Sequence, residues 1–203
     1  MAVHNITADA EGFTCNAYLV TGESPTLVDA GAMPGVETVV SEFVDDVERV
    51  VLTHQHSDHV GELDAVLDAF DADLYAYADH PDRTHELADG DTVTMGDEAF
   101  DVVYTPGHAD DHVSFVSDTT LFSGDVVVYN DGAFEDGSFG RTDMPGQSRE
   151  RLIESLETLL ARLPASVEAM YAGHGDPFYA DEESVRDVIE RALSRAERRE
   201  PKY

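Results

Sequence analysis

The stretch "RVVLTHQHSDHVGEL", residues 49–63, combines a strand pattern with a cluster of side chains that can bind metal. Its first part, residues 49–53, is apolar and β-branched, as expected for a buried strand. His54 follows that strand and His56 stands two positions later. Because side chains two residues apart on an extended backbone point the same way, these two imidazoles can share one ion.

The same stretch continues with a carboxylate and a third histidine, Asp58 and His59. We expect both to follow a turn, just before a helix that begins near Val60, and to face a second position. Imidazole and carboxylate are suitable ligands for zinc, iron or manganese. Since two histidines alone do not complete an ion's coordination, the pattern predicts further ligands elsewhere in the chain.

Three later strand patterns each end in such a side chain. His108 follows the strand-like residues 100–105, Asp125 follows residues 120–124, and His174 follows residues 168–172. In α/β proteins, ligands bind at the carboxyl ends of strands, so these positions favour one shared site. Recurrence of a ligand after strand upon strand is hard to explain by packing alone.

Strand and helix patterns alternate along the chain, which predicts an α/β fold with sheets flanked by helices. The strand-like stretches are residues 17–21, 26–31, 49–53, 74–78, 91–95, 100–105, 112–117, 120–125 and 168–173. Helical stripes cover residues 36–43, 63–70 and 152–163, and a last helix is expected at about 181–200. Ser148 is the expected N-cap of the third stripe, and Pro164 its end. No Gly-, Ser- or Pro-rich linker interrupts the chain, so we expect a single domain over residues 1–203.

The composition is strongly acidic, with 43 Asp and Glu against 12 Lys and Arg and a formal net charge of −31. The acidic residues are spread along the chain, which favours adaptation to high salt over a basic partner. The composition resembles that of haloarchaeal proteins. The single cysteine, Cys15, excludes an intrachain disulfide and is expected to be a buried apolar residue. We find no secretory or membrane-spanning pattern and expect a cytoplasmic location.

The motif "THQHSDH" (53–59), together with His108, the Asp125 of "SGD" and the His174 of "GHG", resembles the metallo-β-lactamase superfamily over essentially the whole chain. "TLVDAG" (26–31) and "TPGH" (105–108) resemble further signatures of that family. The resemblance implies an αββα sandwich with the metal site along one edge of its two sheets.

The resemblance also implies which residues hold metal. It assigns His54, His56 and His108 to one ion and Asp58, His59 and His174 to a second, with Asp125 bridging both. Two divalent ions are therefore expected, zinc in the main interpretation and iron as the other possibility. His56 stands where the flavodiiron branch has a glutamate, which favours a dinuclear hydrolase. Asp58 is the expected catalytic residue, orienting a metal-bound hydroxide.

The segment "SGDVVVYNDGAFEDGSFGRTDMPG" (123–146) resembles short glyoxalase-II-like thioesterases and their persulfide dioxygenase relatives. This resemblance implies hydrolysis of a thioester or related ester of a small acid. Arg141 and Tyr129 are candidate substrate-binding residues, although Arg141 can instead pair with Asp143. His112 is a candidate for orienting a ligand, with an ordinary core histidine as the alternative.

The segment after His174 bears on which thiol forms the thioester substrate. The segment after His174 has room for one helix, whereas glyoxalase II enzymes bind glutathione with a larger helical region, so we expect a different carrier. Arg191, Arg195 and Arg199 recur every four residues on that helix. They can hold a substrate carboxylate or complement the helix dipole.

Three other functions are compatible with the same ligands. A persulfide dioxygenase would use one iron on His54, His108 and Asp125, a nucleic-acid phosphodiesterase would use the same metal core, and a metal-holding protein would lack turnover. The expected partner is a small-molecule substrate, with neither nucleic acid nor membrane, and the pattern leaves the oligomeric state open.

Overall fold

The computed structural model describes residues 1–200, which form twelve strands and five helices. The strands are β1 Ala2–Asn5, β2 Tyr18–Thr21, β3 Thr26–Val28, β4 Arg49–Val51, β5 Asp73–Ala76, β6 His85–Glu86, β7 Thr92–Met95, β8 Glu98–Tyr104, β9 Val113–Val116, β10 Thr120–Gly124, β11 Ala169–Ala172 and β12 Phe178–Tyr179. The helices are α1 Val36–Val40, α2 Ser57–Val60, α3 Leu63–Phe70, α4 Arg149–Arg162 and α5 Val185–Glu197. No helix within residues 1–200 is both long enough and apolar enough to cross a membrane.

The first sheet has the strand order β1-β2-β3-β4-β5-β6. Strands β1 to β3 pair antiparallel, whereas β3 to β6 pair parallel. In the parallel part Leu27 lies opposite Val50, and Val50 opposite Leu74. All three side chains are buried in a core that also contains Val36 of α1 and Val66 of α3. This packing fixes β4, and with it the position of the residues that follow its end.

The second sheet has the order β12-β11-β10-β9-β8-β7. Its strand β10 is parallel to β11 and antiparallel to β9. Leu121 of β10 lies opposite Met170 of β11, and both are buried with Leu156 of α4 and Ile189 of α5. The ends of β10 and β11 are therefore held side by side.

Both sheets are mixed and accompanied by helices, so the predicted α/β class is confirmed. Contacts divide the chain into two compact units, one of residues 1–100 and one beginning at Asp101, with the boundary inside β8. Each unit has an apolar core of its own. The single domain stays a prediction.

Capping side chains set the bounds of the two longest helices. The Ser148 side chain accepts a hydrogen bond from the Arg151 main chain at the start of α4, as expected. At α5, Ser184 and Asp187 form a capping box in which each side chain bonds the other's main chain. This helix therefore begins at Val185, later than the expected residue 181, and residues 201–203 lie outside the described part.

All nine predicted strands are present, but the pattern missed β1, β6 and β12. The last two have only two residues each, too short for a recognisable alternation. One helix start was also wrong. Asp58 and His59 lie within α2, which begins at Ser57, rather than before a helix starting near Val60.

Candidate metal centre

In the first unit, His54 and His56 turn their rings toward each other. His54 Nε2 lies 2.9 Å from His56 Nδ1. The other ring nitrogen of His54 lies 3.1 Å from Thr53 Oγ1, and the Thr53 hydroxyl itself donates to Asp29 Oδ2 at 2.7 Å. Thr53 Oγ1 therefore accepts from His54 Nδ1, which leaves a lone pair on Nε2. Either a proton or a cation must lie between the two facing nitrogens, because two lone pairs at this distance repel. The expected convergence of the two side chains is confirmed.

His59 is oriented by a carboxylate. Its Nδ1 lies 2.9 Å from Asp29 Oδ2, and its ring is fully buried. Nδ1 therefore donates to the carboxylate and Nε2 carries a lone pair, the arrangement in which histidines usually bind metal. The Asp58 carboxylate lies on the same side, with Oδ2 at 3.9 Å from His59 Nε2.

Asp29 is the residue of this unit whose function the sequence pattern missed. It directly follows β3 and has a left-handed backbone with φ of 57°. Besides His59, its carboxylate accepts hydrogen bonds from the Thr53 main chain at 2.8 Å and from the Thr53 hydroxyl. A carboxylate inside the apolar stretch of residues 26–31 was the available signal, since a buried charge requires several partners.

Cys15 is buried, as expected, but it lies close to these side chains. Its main-chain N–H donates to the Asp58 carbonyl at 3.2 Å. The thiol, the Asp29 carboxylate and the His59 imidazole place donor atoms within 4.8 Å of one another. The separation of Cys15 from the motif in sequence hid this proximity.

In the second unit, Asp125 lies between two histidines. Its Oδ2 is 3.3 Å from His108 Nε2 and 3.4 Å from His174 Nε2. Asp125 and His108 are buried, while the His174 side chain is 24% exposed. Two ligands of a tetrahedral zinc ion, each bonded at 2.0–2.1 Å, stand about 3.3–3.4 Å apart. The measured separations therefore fit donors that share an ion.

Main-chain groups orient His108. Its Nδ1 donates to the carbonyl of Arg141 at 2.9 Å, so Nε2 presents a lone pair toward Asp125. The neighbouring Gly140 donates its N–H to the Asp125 carbonyl at 2.7 Å. A Cβ at position 140 would lie 2.7 Å from His108 Nδ1, closer than real side chains approach. Glycine is therefore required at this crossing.

His112 holds the main chain of Asp125. The Asp125 N–H donates to His112 Nε2 at 2.9 Å, so His112 Nδ1 carries the proton and donates to Thr105 Oγ1 at 2.8 Å. The ring is fully buried. This neutral histidine contacts the main chain of Asp125, a predicted ligand, as expected if His112 orients that ligand. The influence of His112 on metal binding stays a prediction.

The loop that carries His174 is tied to neighbouring main chain. Gly173 donates to the Gly124 carbonyl at 2.9 Å, and Asp176 donates to the Tyr129 carbonyl at 2.8 Å. The Tyr129 ring packs on Phe178 with centroids 5.0 Å apart. Tyr129 thus supports this loop, and its contact with substrate stays a prediction.

Arg141 forms an ion pair with Asp143, which was the alternative to a role in substrate binding. Its guanidinium donates to both carboxylate oxygens, at 2.9 and 3.0 Å, and its side chain is 41% exposed. Hydrogen bonding from Arg141 holds the pKa of Asp143 below its ordinary value. Its contact with substrate stays a prediction.

The structure therefore brings the predicted ligands together in two groups, each within one unit. His54, His56, Asp58 and His59 lie together in the first unit, and His108, Asp125 and His174 in the second. The nitrogens of His54, His59 and His108 that face other donors carry lone pairs, as metal ligands require.

Comparison with known proteins places the chain in a family. The profile of the Metallo-beta-lactamase superfamily matches residues 10–88 and 73–174. Thioesterase pkgB of Emericella nidulans is 32% identical over 189 residues, which are 89% of this chain and 51% of that protein. A hydroxyacylglutathione hydrolase of Psychromonas ingrahamii is 35% identical over 118 residues, 56% of this chain and 46% of that protein.

The fold is also similar to that of a solved structure. The crystal structure of ETHE1 from Myxococcus xanthus matches with a TM-score of 0.75 and 22% identity, covering 99% of this chain and 92% of that one. At this identity the likeness shows the fold. This chain spans about half the length of the curated relatives described above. The profile match extends over most of the sequence and includes all seven predicted ligands, so the chain belongs to the metallo-β-lactamase superfamily.

Proposed function

We propose that this chain is a metal-dependent hydrolase that cleaves a thioester or related ester of a small acid with two zinc ions. The observation that carries the proposal is Asp125, whose Oδ2 stands 3.3 and 3.4 Å from the Nε2 atoms of two histidines. A carboxylate in this position can bridge two cations.

The proposed ligand set uses all seven predicted ligands. One ion is held by His54, His56 and His108, the other by Asp58, His59 and His174, with Asp125 shared. The lone pairs on the facing nitrogens support this assignment, since ligating histidines must be neutral. The partners of the opposite ring nitrogens support it too, because they fix each ring in one tautomer.

The mechanism follows from these residues. Held by these residues, such ions would supply a water of lowered pKa and would polarise a substrate carbonyl. Asp58, partly exposed beside His59, accepts a hydrogen bond from the attacking water and turns its lone pair toward the carbonyl carbon. Asp29 keeps His59 in one orientation, and His112 does the same for the main chain of Asp125. This mechanism needs no serine or cysteine nucleophile.

The substrate class rests on the relatives and on one segment. One relative is named a thioesterase and the other a hydroxyacylglutathione hydrolase. Residues 123–146 resemble the corresponding segment of such enzymes. Arg141 and Tyr129 are the proposed substrate contacts, with Arg141 exchanging Asp143 for a substrate carboxylate.

Metal analysis combined with a substrate screen tests the proposal. Purified protein is expected to contain about two zinc ions per chain and to release thiol from short-chain acyl thioesters. The thioesters carry different thiols, and lactones, phosphodiesters and a persulfide complete the panel. Zinc-loaded protein that cleaves none of the esters would overturn the proposal, and cleavage of phosphodiesters alone would reassign it.

The second candidate is a mononuclear iron dioxygenase that acts on a thiol persulfide. The proximity of His108 to Asp125 favours it, because an iron site of this kind uses two histidines and one carboxylate. His108 and Asp125 would supply one histidine and the carboxylate. His54 would be the third. One iron per chain together with persulfide-dependent oxygen uptake would replace the hydrolase proposal.

We also propose that the protein works in a salt-rich cytoplasm. The excess of 31 negative charges destabilises the compact state by self-repulsion at low ionic strength. Raising KCl from about 0.1 M to about 1 M shortens the Debye length from about 10 Å to about 3 Å and is expected to raise the unfolding temperature. An unfolding temperature that falls over this range would contradict this proposal.

A further inference from the structure

We propose that Arg191 and Arg195 of α5 position His108 by clasping the loop of residues 134–141 at Asp136. We call this contact the α5 clasp. The inference deepens the proposed function, on which the metal-binding role of His108 rests. Arg191 and Arg195 are positioning residues in this proposal, because each acts through the loop rather than on the substrate.

In the α5 clasp, two guanidinium groups bind the same short part of the loop, Asp136 and Gly137. Arg195 donates to Asp136 Oδ1 at 2.8 Å and also to the Gly137 carbonyl. Arg191 donates to the Asp136 carbonyl, lies 3.4 Å from Asp136 Oδ2, and pairs with Glu183. These arginines thus bind a carboxylate of their own chain. Their binding of a substrate carboxylate, one of the two alternatives given for them, stays a prediction.

Packing adds to the charge contacts at this end of the loop. The Arg195 guanidinium carbon lies 4.2 Å from the centroid of the Phe134 ring, a cation–π distance. Gly137 has φ of 105°, and a Cβ there would come within 2.7 Å of a Val188 methyl on α5. Although burial acts to raise the pKa of Asp136, hydrogen bonding and charge from Arg195 hold it below its ordinary value. The loop is therefore seated directly on α5 and not held by one side chain alone.

The other end of the same loop reaches the metal ligands. Gly140 donates to the Asp125 carbonyl at 2.7 Å, and the Arg141 carbonyl accepts from His108 Nδ1 at 2.9 Å. Between the two ends, Ser138 and Val128 exchange two main-chain hydrogen bonds of 2.9 Å each. The Phe139 side chain is fully buried. Only three residues separate Asp136 from Gly140, and they have little freedom to absorb a shift.

A displacement at the clasp would therefore reach His108. If Asp136 moves away from α5, the short segment that follows it would shift with it, and the Arg141 carbonyl would no longer lie in line with His108 Nδ1. His108 would then lose the partner that fixes its tautomer. Loss of such outer partners usually lowers metal affinity about 10–100-fold.

The test replaces one clasp residue and compares it with an arginine of the same helix. Arg195→Gln removes the guanidinium from the loop. The matched control is Arg186→Gln, because Arg186 donates to the carbonyls of Leu160 and Leu163 at 3.1 Å and not to the loop. Both variants lose a guanidinium that bonds main-chain carbonyls, but only one of them loses contact with Asp136.

Three measurements are made on the full chain. Amide hydrogen exchange of metal-free protein follows the N–H groups of Ser138 and Gly140. Competition with a chromophoric chelator gives the zinc affinity, and the visible spectrum of cobalt-substituted protein reports the ligand geometry. We expect Arg195→Gln to speed exchange at both amides, weaken zinc binding about 10–100-fold and change the cobalt spectrum. Arg186→Gln should change none of these beyond its effect on global unfolding.

Equal behaviour of the two variants in all three measurements would overturn the inference. If Arg195→Gln does not fold, Asp136→Asn tests the same contact from an exposed position, and the same criteria apply. Wild-type protein that binds no zinc or cobalt would refute the proposed function. Exchange at Ser138 and Gly140 would still decide separately whether the clasp holds the loop.

Discussion

The donors of the first unit are oriented by side chains, whereas those of the second unit are oriented mainly by main chain. His59 and Thr53 converge on the carboxylate of Asp29. By contrast, His108 donates to the main-chain carbonyl of Arg141, and the Asp125 carbonyl accepts from the main-chain N–H of Gly140. A side-chain support can be removed by one conservative substitution, but a main-chain support can be disturbed only by moving the backbone. The two units should therefore respond to different kinds of mutation.

The largest effect is expected from Asp125→Ala, which removes the oxygen that faces both histidines of the second unit. Zinc affinity and the rate of thioester cleavage should both fall more than about 100-fold. This exceeds the loss expected when only a partner of a metal ligand is removed. Zinc titration and steady-state kinetics measure the two quantities. Asp118→Ala, at an exposed position of the same unit, is the control and should behave as wild type. A protein that keeps its zinc without Asp125 would remove the basis for treating the second unit as a metal site.

Gly140→Ala is expected to come next, because it tests the main-chain support directly. The added Cβ would press on His108 Nδ1 and on the Asp125 carbonyl, so either the ring or the backbone must move. Overpacking of this kind costs about 1–3 kcal/mol in unfolding free energy, and we expect zinc affinity to fall about 100-fold, the upper end for outer partners. Chemical denaturation and zinc titration measure both.

The control for that variant is Gly12→Ala, since a Cβ at position 12 meets nothing within 4 Å. Neither glycine has a positive φ that an alanine would strain. If both alanine variants bind zinc equally, the close approach of Gly140 does not matter for the ligands.

Asp29→Asn tests the side-chain support of the first unit and should have a smaller effect. The amide keeps the shape and one acceptor oxygen but removes the charge that faces His59. Zinc affinity should fall about 10-fold, the lower end for outer partners. Thr26→Val, which removes a buried hydroxyl of the same unit bonded to the Ser24 carbonyl, is the control in the same titration. A larger loss for Asp29→Asn than for Gly140→Ala would reverse the order inferred from the comparison.

The smallest effect on metal binding is expected for Arg141→Ala. The variant loses an exposed ion pair, which contributes little to stability, but it keeps the main-chain carbonyl that binds His108. Zinc affinity should change less than about twofold. KM for an anionic thioester should rise, while kcat should remain unchanged. An unchanged KM would exclude Arg141 as a substrate contact.

The comparison also explains which parts of the site the sequence revealed. His54, His56, Asp58 and His59 occupy one strand end and one helical turn, so their chemistry is visible in six consecutive positions. His108, Asp125 and His174 were recognised because each follows a strand pattern and because the whole set resembles a family. Their mutual distances depend on strand pairing, which no local pattern specifies.

Other features depended on tertiary contacts and remained hidden. The role of Asp29 follows from a left-handed backbone and from partners 24 and 30 residues away. The contact of Arg191 and Arg195 with Asp136 was not predicted, because Asp136 is 55 or more residues earlier in the chain. Strand and helix positions were predictable because they follow apolar periodicity, whereas the α2 boundary was not, since one turn is shorter than that periodicity.

The hydrogen bond from His108 to the carbonyl at position 141 has a consequence for how such a protein can diversify. Every amino acid brings the same carbonyl, so the side chain at this position can be exchanged without withdrawing the ligand's support. Selection could then alter what the residue offers to an incoming molecule while the geometry of the proposed cation site is inherited intact. Substrate preference and metal retention would be separately evolvable properties of one short loop.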